Sequence, residues 1–130
     1  MELFIDDPNS NIDSDARNFA KKIHLIGFVG SIIPPLNFLL PYLLAKSNTK
    51  DSSFKTKHIS NVLNFQFLFI LLIILGVVLF LLIPLFYVLL YCLLLFLFQG
   101  ITTYNNYSAA KNGIIHKLPV NFNIFKKNYL

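Results

Sequence analysis

The side chains that could do chemistry in this chain are few, and most are amides. Asn61, Asn64 and Gln66 open a long apolar run, and Gln99, Thr102, Thr103 and Asn106 close it. The last four fall at i, i+3, i+4 and i+7, which puts them on one face of a helix. Amides and hydroxyls carry no charge to titrate, so on such a face they offer hydrogen bonds and no acid–base work. Asn37 follows Pro34 and Pro35 closely enough to cap a helix that restarts there, with Pro41 further on. His24, His58 and His116 stand in no metal-ligand spacing and have no Cys, Asp or Glu beside them in a motif; they flank apolar segments and read as interface residues. Cys92, the one cysteine, sits inside an apolar run and reads as a small apolar filler.

Catalytic arrangements are not visible. There is no G-x-S-x-G, no H-E-x-x-H, no phosphate loop and no pair of carboxylates placed for general acid and base. The expected class is therefore not an enzyme, with no cofactor and no metal. The basic residues flank apolar segments and do not form a stripe with aromatics, so the net charge of +5 points to lipid headgroups and not to nucleic acid.

The elements that must carry these residues follow from hydropathy. Between His58 and Lys111 the sequence contains no Asp, Glu, Lys, Arg or His. Charged residues make up 13% of the chain, against roughly a quarter in soluble domains. A water-soluble fold needs charge on some outward face of so long a stretch, whereas lipid does not demand it. The expected fold is all-α: a polytopic helical membrane protein. A polar N-terminal tail over 1–13 precedes a membrane domain over 14–113, and 114–130 form a cytoplasmic interfacial tail. Ser14 is the expected N-cap of the first helix, and Gly113 the residue that ends the last one.

Three segments are expected in the membrane, at about 24–45, 62–81 and 84–104. The run from Val62 to Thr103 as a single helix would be roughly 60 Å long, twice the hydrocarbon thickness, so it must fold back near Pro84. The first segment holds Pro34, Pro35 and Pro41 and cannot be one regular helix. It is either a kinked span or two half-helices forming a re-entrant hairpin, which would make four membrane helices. Hydropathy favours the span and is followed here, although charge favours the hairpin. Residues 46–60 read as a basic connector. The connector at 45–61 and residues 105–130 carry four lysines each and lie on the same side, so the positive-inside rule places both in the cytoplasm. The side of the N-terminus stays open.

Four stretches carry a family resemblance: His24-Leu25-Ile26-Gly27, the proline-rich Ile33–Pro41 followed by Leu43-Leu44, His58 through Asn64-Phe65-Gln66, and Ala109-Ala110-Lys111-Asn112-Gly113 with Leu118-Pro119 downstream. Their order resembles the bacterial membrane-protein family called domain of unknown function 4870, itself similar to the small multi-spanning (Tic-type) subunit of the chloroplast inner-envelope import translocon. The resemblance implies three or four membrane helices and a part in protein translocation or complex assembly, and it supplies no catalytic residue. The function expected is that of a small integral subunit in a bacterial inner membrane. It would bind other membrane proteins, or itself, through the polar face of Asn61, Asn64, Gln66, Gln99, Thr102, Thr103 and Asn106. A channel-like or transport component is the alternative.

Overall fold

The structure, a computed structural model, describes residues 3–4, 12–47, 53–82 and 84–116. Four helices form it: α1 (Ser14–Gly30), α2 (Leu36–Ser47), α3 (Ser53–Phe80) and α4 (Leu85–Lys111). A two-residue antiparallel ladder joins β1 (Leu3–Phe4) to β2 (Ile115–His116). Most of the interfacial tail expected over 114–130 lies outside the described residues.

The first segment is two helices and not one kinked span. Ser31–Pro35 form a turn, and α2 runs back along α1, so that Ala45 near the end of α2 packs with Phe19 and Ile23 of α1. Two prolines in succession forced the break; they did not dictate its direction, which packing decides. The turn leaves no stranded donors. Ser31, Ile32, Ile33 and Leu36 each donate their N–H to the carbonyl three residues back, and Pro34 and Pro35 have no N–H to satisfy. Its outer side chains, Ile32 and Ile33, are exposed and apolar. Pro41 is buried inside α2, which continues past it.

Two helices are long and apolar enough to cross a membrane, α3 with 28 residues and α4 with 27. At 1.5 Å per residue both are about 40 Å long. The apolar part of α3, Val62–Phe80, measures about 28 Å and matches a hydrocarbon core. Helix α3 begins earlier than expected, at Ser53, so most of the presumed connector is helical. Phe54, His58, Ile59 and Val62 are buried at helical spacing there, which holds the polar start of the helix in place. Among the described residues no third helix is long enough to meet the same criterion: α1 and α2 have 17 and 12 residues.

Local signals fix the ends. Asp13, one residue before the expected Ser14, caps α1 by accepting from the Asp15 N–H at 3.3 Å. Helix α4 ends in a Schellman motif: the Gly113 N–H donates to Ala110 and the Ile114 N–H to Ala109. Gly113 has φ +73°, the left-handed conformation glycine adopts at no cost.

Burial divides the molecule across its long axis. In α3 the buried side chains run from Phe54 to Phe69, with Gly76 alone beyond, and in α4 they begin at Gln99. One half is thus a four-helix bundle holding the core of Phe19, Ile23, Ala45, Ile59, Val62 and Leu63. The other half is the bare α3–α4 hairpin, with Val77, Leu81, Phe86 and Leu89 all more than half exposed. Its two helices meet where the Tyr91 ring passes Gly76, and the Tyr91 hydroxyl donates to the Leu72 carbonyl at 2.6 Å.

Candidate functional site: a polar core at the centre of the apolar helices

Gln66 is the fourteenth residue of α3 and Gln99 the fifteenth of α4, so both amides lie at helix midpoints. They meet there: Gln99 Nε2 donates to Gln66 Oε1 at 3.2 Å. The tip of the α1–α2 hairpin reaches the same level. Asn37 Nδ2 donates to the same Gln66 oxygen at 3.1 Å, and Gln99 Nε2 also donates to Ser31 Oγ at 2.7 Å. The Ser31 hydroxyl in turn donates to the Gly27 carbonyl at 3.0 Å. Four elements are therefore tied by one oxygen and one hydroxyl. Gly27 makes room for this, since a Cβ there would lie 2.7 Å from Gln66 Nε2.

Asn37 was expected to cap α2, but it is a cross-helix donor, because α2 has already begun at Leu36 and the side chain points inward. Of the seven residues expected to form a polar face, Gln66 and Gln99 bond to each other. Asn64 and Asn106 turn back on their own helices, to the carbonyls of Ser60 and Thr102 at 2.9 Å each. Thr102 and Thr103 are buried, and Asn61 is half-buried. Six of the seven thus face the interior of the bundle, covered by this chain's own helices. Cys92 is exposed on the bare hairpin and fills no core position.

Nearer the charged end lies a pair that sequence reasoning missed. His24 Nε2 and His58 Nδ1 are 2.9 Å apart, both rings are buried, and they meet edge to face. Phe54 packs edge-on against His58 with centroids 4.5 Å apart. His24 and His58 were expected at the membrane interface; the tertiary fold takes them inside. A signal existed, since His24 continues the stripe Ala16, Phe19, Ala20, Ile23 and Gly27 along α1. Only one ring nitrogen of a hydrogen-bonded pair donates, so at most one bond forms here. His58 precedes the apolar stretch. Burial pushes its imidazole down from 6.5 to about 4, with the Ile114 backbone acting weakly the other way. Two imidazoles are a poor metal site by themselves, and no group of three or more His, Cys, Asp or Glu comes together among the described residues.

Several buried polar atoms find no partner among the described residues: Asn37 Oδ1, Gln99 Oε1, Asn106 Oδ1, His58 Nε2 and Arg17 Nε. A buried donor or acceptor that stays unpaired costs about 1–3 kcal/mol. All lie in the four-helix half.

The sequence pattern of the magnetosome magnetite crystal formation protein family, MamF/MmsF, matches residues 15–125. The chain belongs to that family. The match spans all four helices and the polar core. It overturns the resemblance to the domain of unknown function 4870 and to a Tic-type import subunit, although the motifs quoted for that resemblance fall inside the matched stretch. Those motifs are short and mostly apolar, and apolar residues in membrane-type helices recur for reasons of solubility in lipid. No curated protein and no solved structure matches the chain. Membership of MamF/MmsF and two apolar helices together indicate a membrane location.

Proposed function

We propose that this chain is a non-enzymatic integral membrane subunit that contributes to magnetite crystal formation by assembling with other membrane proteins. The observation that carries this reading is the family match over residues 15–125. The polar core supports a structural role: its amides are spent on tying helices together, and interhelical bonds of this kind contribute about 0.6–2 kcal/mol each. Assembly would use the outer surface, where the bare hairpin presents Leu81, Phe86 and Leu89 to lipid or to a neighbouring helix. We place the basic end in the cytoplasm of a bacterial inner membrane or a compartment derived from it, following the positive-inside rule.

The test has two arms. Deleting the chain in its own cells should change the size or number of magnetite particles seen by electron microscopy. Purification in mild detergent should recover a stoichiometric membrane partner or a homo-oligomer. Unaltered mineral together with a clean monomer would remove the proposal. A channel-like role is the second reading, favoured by a broken α1–α2 hairpin that ends against Gln66 and Gln99, since interrupted helices often line cavities. Liposomes containing the chain and showing no solute or ion flux would eliminate it.

A further inference from the structure

The orientation of the amides in the central cluster can be deduced. The Ser31 hydroxyl has one proton, committed to the Gly27 carbonyl at 3.0 Å. Its contact with Gln99 at 2.7 Å therefore requires a donor, which fixes Gln99 Nε2 on that side. The same nitrogen faces Gln66, so Gln66 presents its oxygen there, and Asn37 must meet that oxygen with its own nitrogen. Among the buried atoms left without a partner are then two acceptors, Asn37 Oδ1 and Gln99 Oε1, in residues with no exposed surface. Seven residues further along the inner face of α4, Asn106 repeats the pattern. Its nitrogen donates to Thr102 and its oxygen has no donor. Buried Thr102 and Thr103 lie between the two levels, which are about 10 Å apart.

We propose that this core binds water, from the level of Asn106 inward to a site shared by Asn37 and Gln99. Lone acceptor oxygens call for a donor, and buried water commonly supplies one to groups of this kind. A metal cation is the wrong ligand. Residues 59–110 contain no charged side chain, and a desolvated ion without a counter-charge is costly in an apolar surround. A partner side chain is too large to enter a closed bundle. The α3–α4 hairpin beyond Gln66 and Gln99 has no orphaned polar atom among its described residues, so the water stops halfway. The four-helix half therefore holds water that the bare hairpin does not.

The test is water-to-side-chain cross-relaxation by NMR on the full chain in lipid nanodiscs, isotope-labelled at the Asn and Gln amides. Water cross-peaks are expected at the amide groups of Asn37, Gln99 and Asn106. Silence at all three while exposed Asn18 gives a cross-peak would overturn the proposal. In a folded Gln99→Leu variant the Asn37 cross-peak should fall several-fold and that of Asn106 should persist. An undiminished Asn37 signal would show that no shared site exists. The measurement on the unaltered chain decides the matter by itself where the variant does not fold.

Discussion

At the scale of single residues, His58 has the most measurable consequence. The folded chain keeps this imidazole neutral where an unfolded chain would protonate it, since its ordinary value of 6.5 drops to about 4 on burial. Stability is therefore fully present above pH 6.5 and declines as the pH falls towards 4, by about 3 kcal/mol in total. Thermal unfolding in detergent at pH 7.5, 5.5 and 4 (roughly spanning the titration) should show the loss. His58→Gln should flatten the dependence; an equally steep slope in that variant would mean another group is responsible. The pairing of His24 with His58 was not legible in the sequence. The two residues are 34 positions apart, and neither stands in a motif. Only the apolar stripe on α1 and the spacing of Phe54, His58 and Val62 on α3 marked them as inward-facing. Gln99, Thr102, Thr103 and Asn106 were legible as one face because helical spacing alone groups them, but spacing does not say whether that face looks outward or in.

At the scale of elements, the α1–α2 hairpin depends on how closely backbone can approach backbone, and three glycines grade that dependence. A Cβ on Gly30 would lie 2.7 Å from the backbone of Leu36 and Asn37, which cannot move without opening the turn. Gly30→Ala should cost about 2–3 kcal/mol, at the upper end for overpacking. A Cβ on Gly27 meets the movable end of Gln66, so Gly27→Ala should cost about 1–2 kcal/mol by displacing hydrogen bonds. Gly100 faces open space, and Gly100→Ala should be neutral or stabilising by up to about 1 kcal/mol through helix propensity. Denaturation midpoints in one detergent would rank the three, and a different order would contradict the packing described. The α3–α4 hairpin could be read from the sequence because exclusion of charge from lipid acts on composition alone. The fold-back of α1 on α2 could not, since proline removes hydrogen bonds without selecting among the ways to rebuild them. The start of α3 was hidden by Lys55 and Lys57: Lys57 is exposed, Lys55 is held by Asp15 at 3.0 Å over the Phe19 ring, and Phe54 and His58 are buried beside them.

At the scale of the whole molecule, the ends of the elements sort to two poles. Asp15 at the start of α1 pairs with Lys55 at the start of α3, and Arg17 lies against Gly113 after α4. The start of the chain pairs with the segment following α4 through Leu3–Phe4 and Ile115–His116. These regions therefore share one pole, and Leu81, Leu82 and Pro84 lie at the other. In sealed vesicles of a Cys92→Ala background, an impermeant maleimide should label Asn18→Cys and Asn112→Cys from one side and Leu82→Cys from the opposite side. Labelling of positions 18 and 112 from different sides would show that the first segment crosses after all.

The α1–α2 hairpin, which stops at the midpoints of α3 and α4, also gives the molecule a taper. With the four-helix end seated in one leaflet, that leaflet would accommodate the girth of four helices and the other that of two. A membrane crowded with inclusions so seated would not keep equal areas in both sheets, and it would relax by bowing outward on the side of the wide, lysine-bearing end.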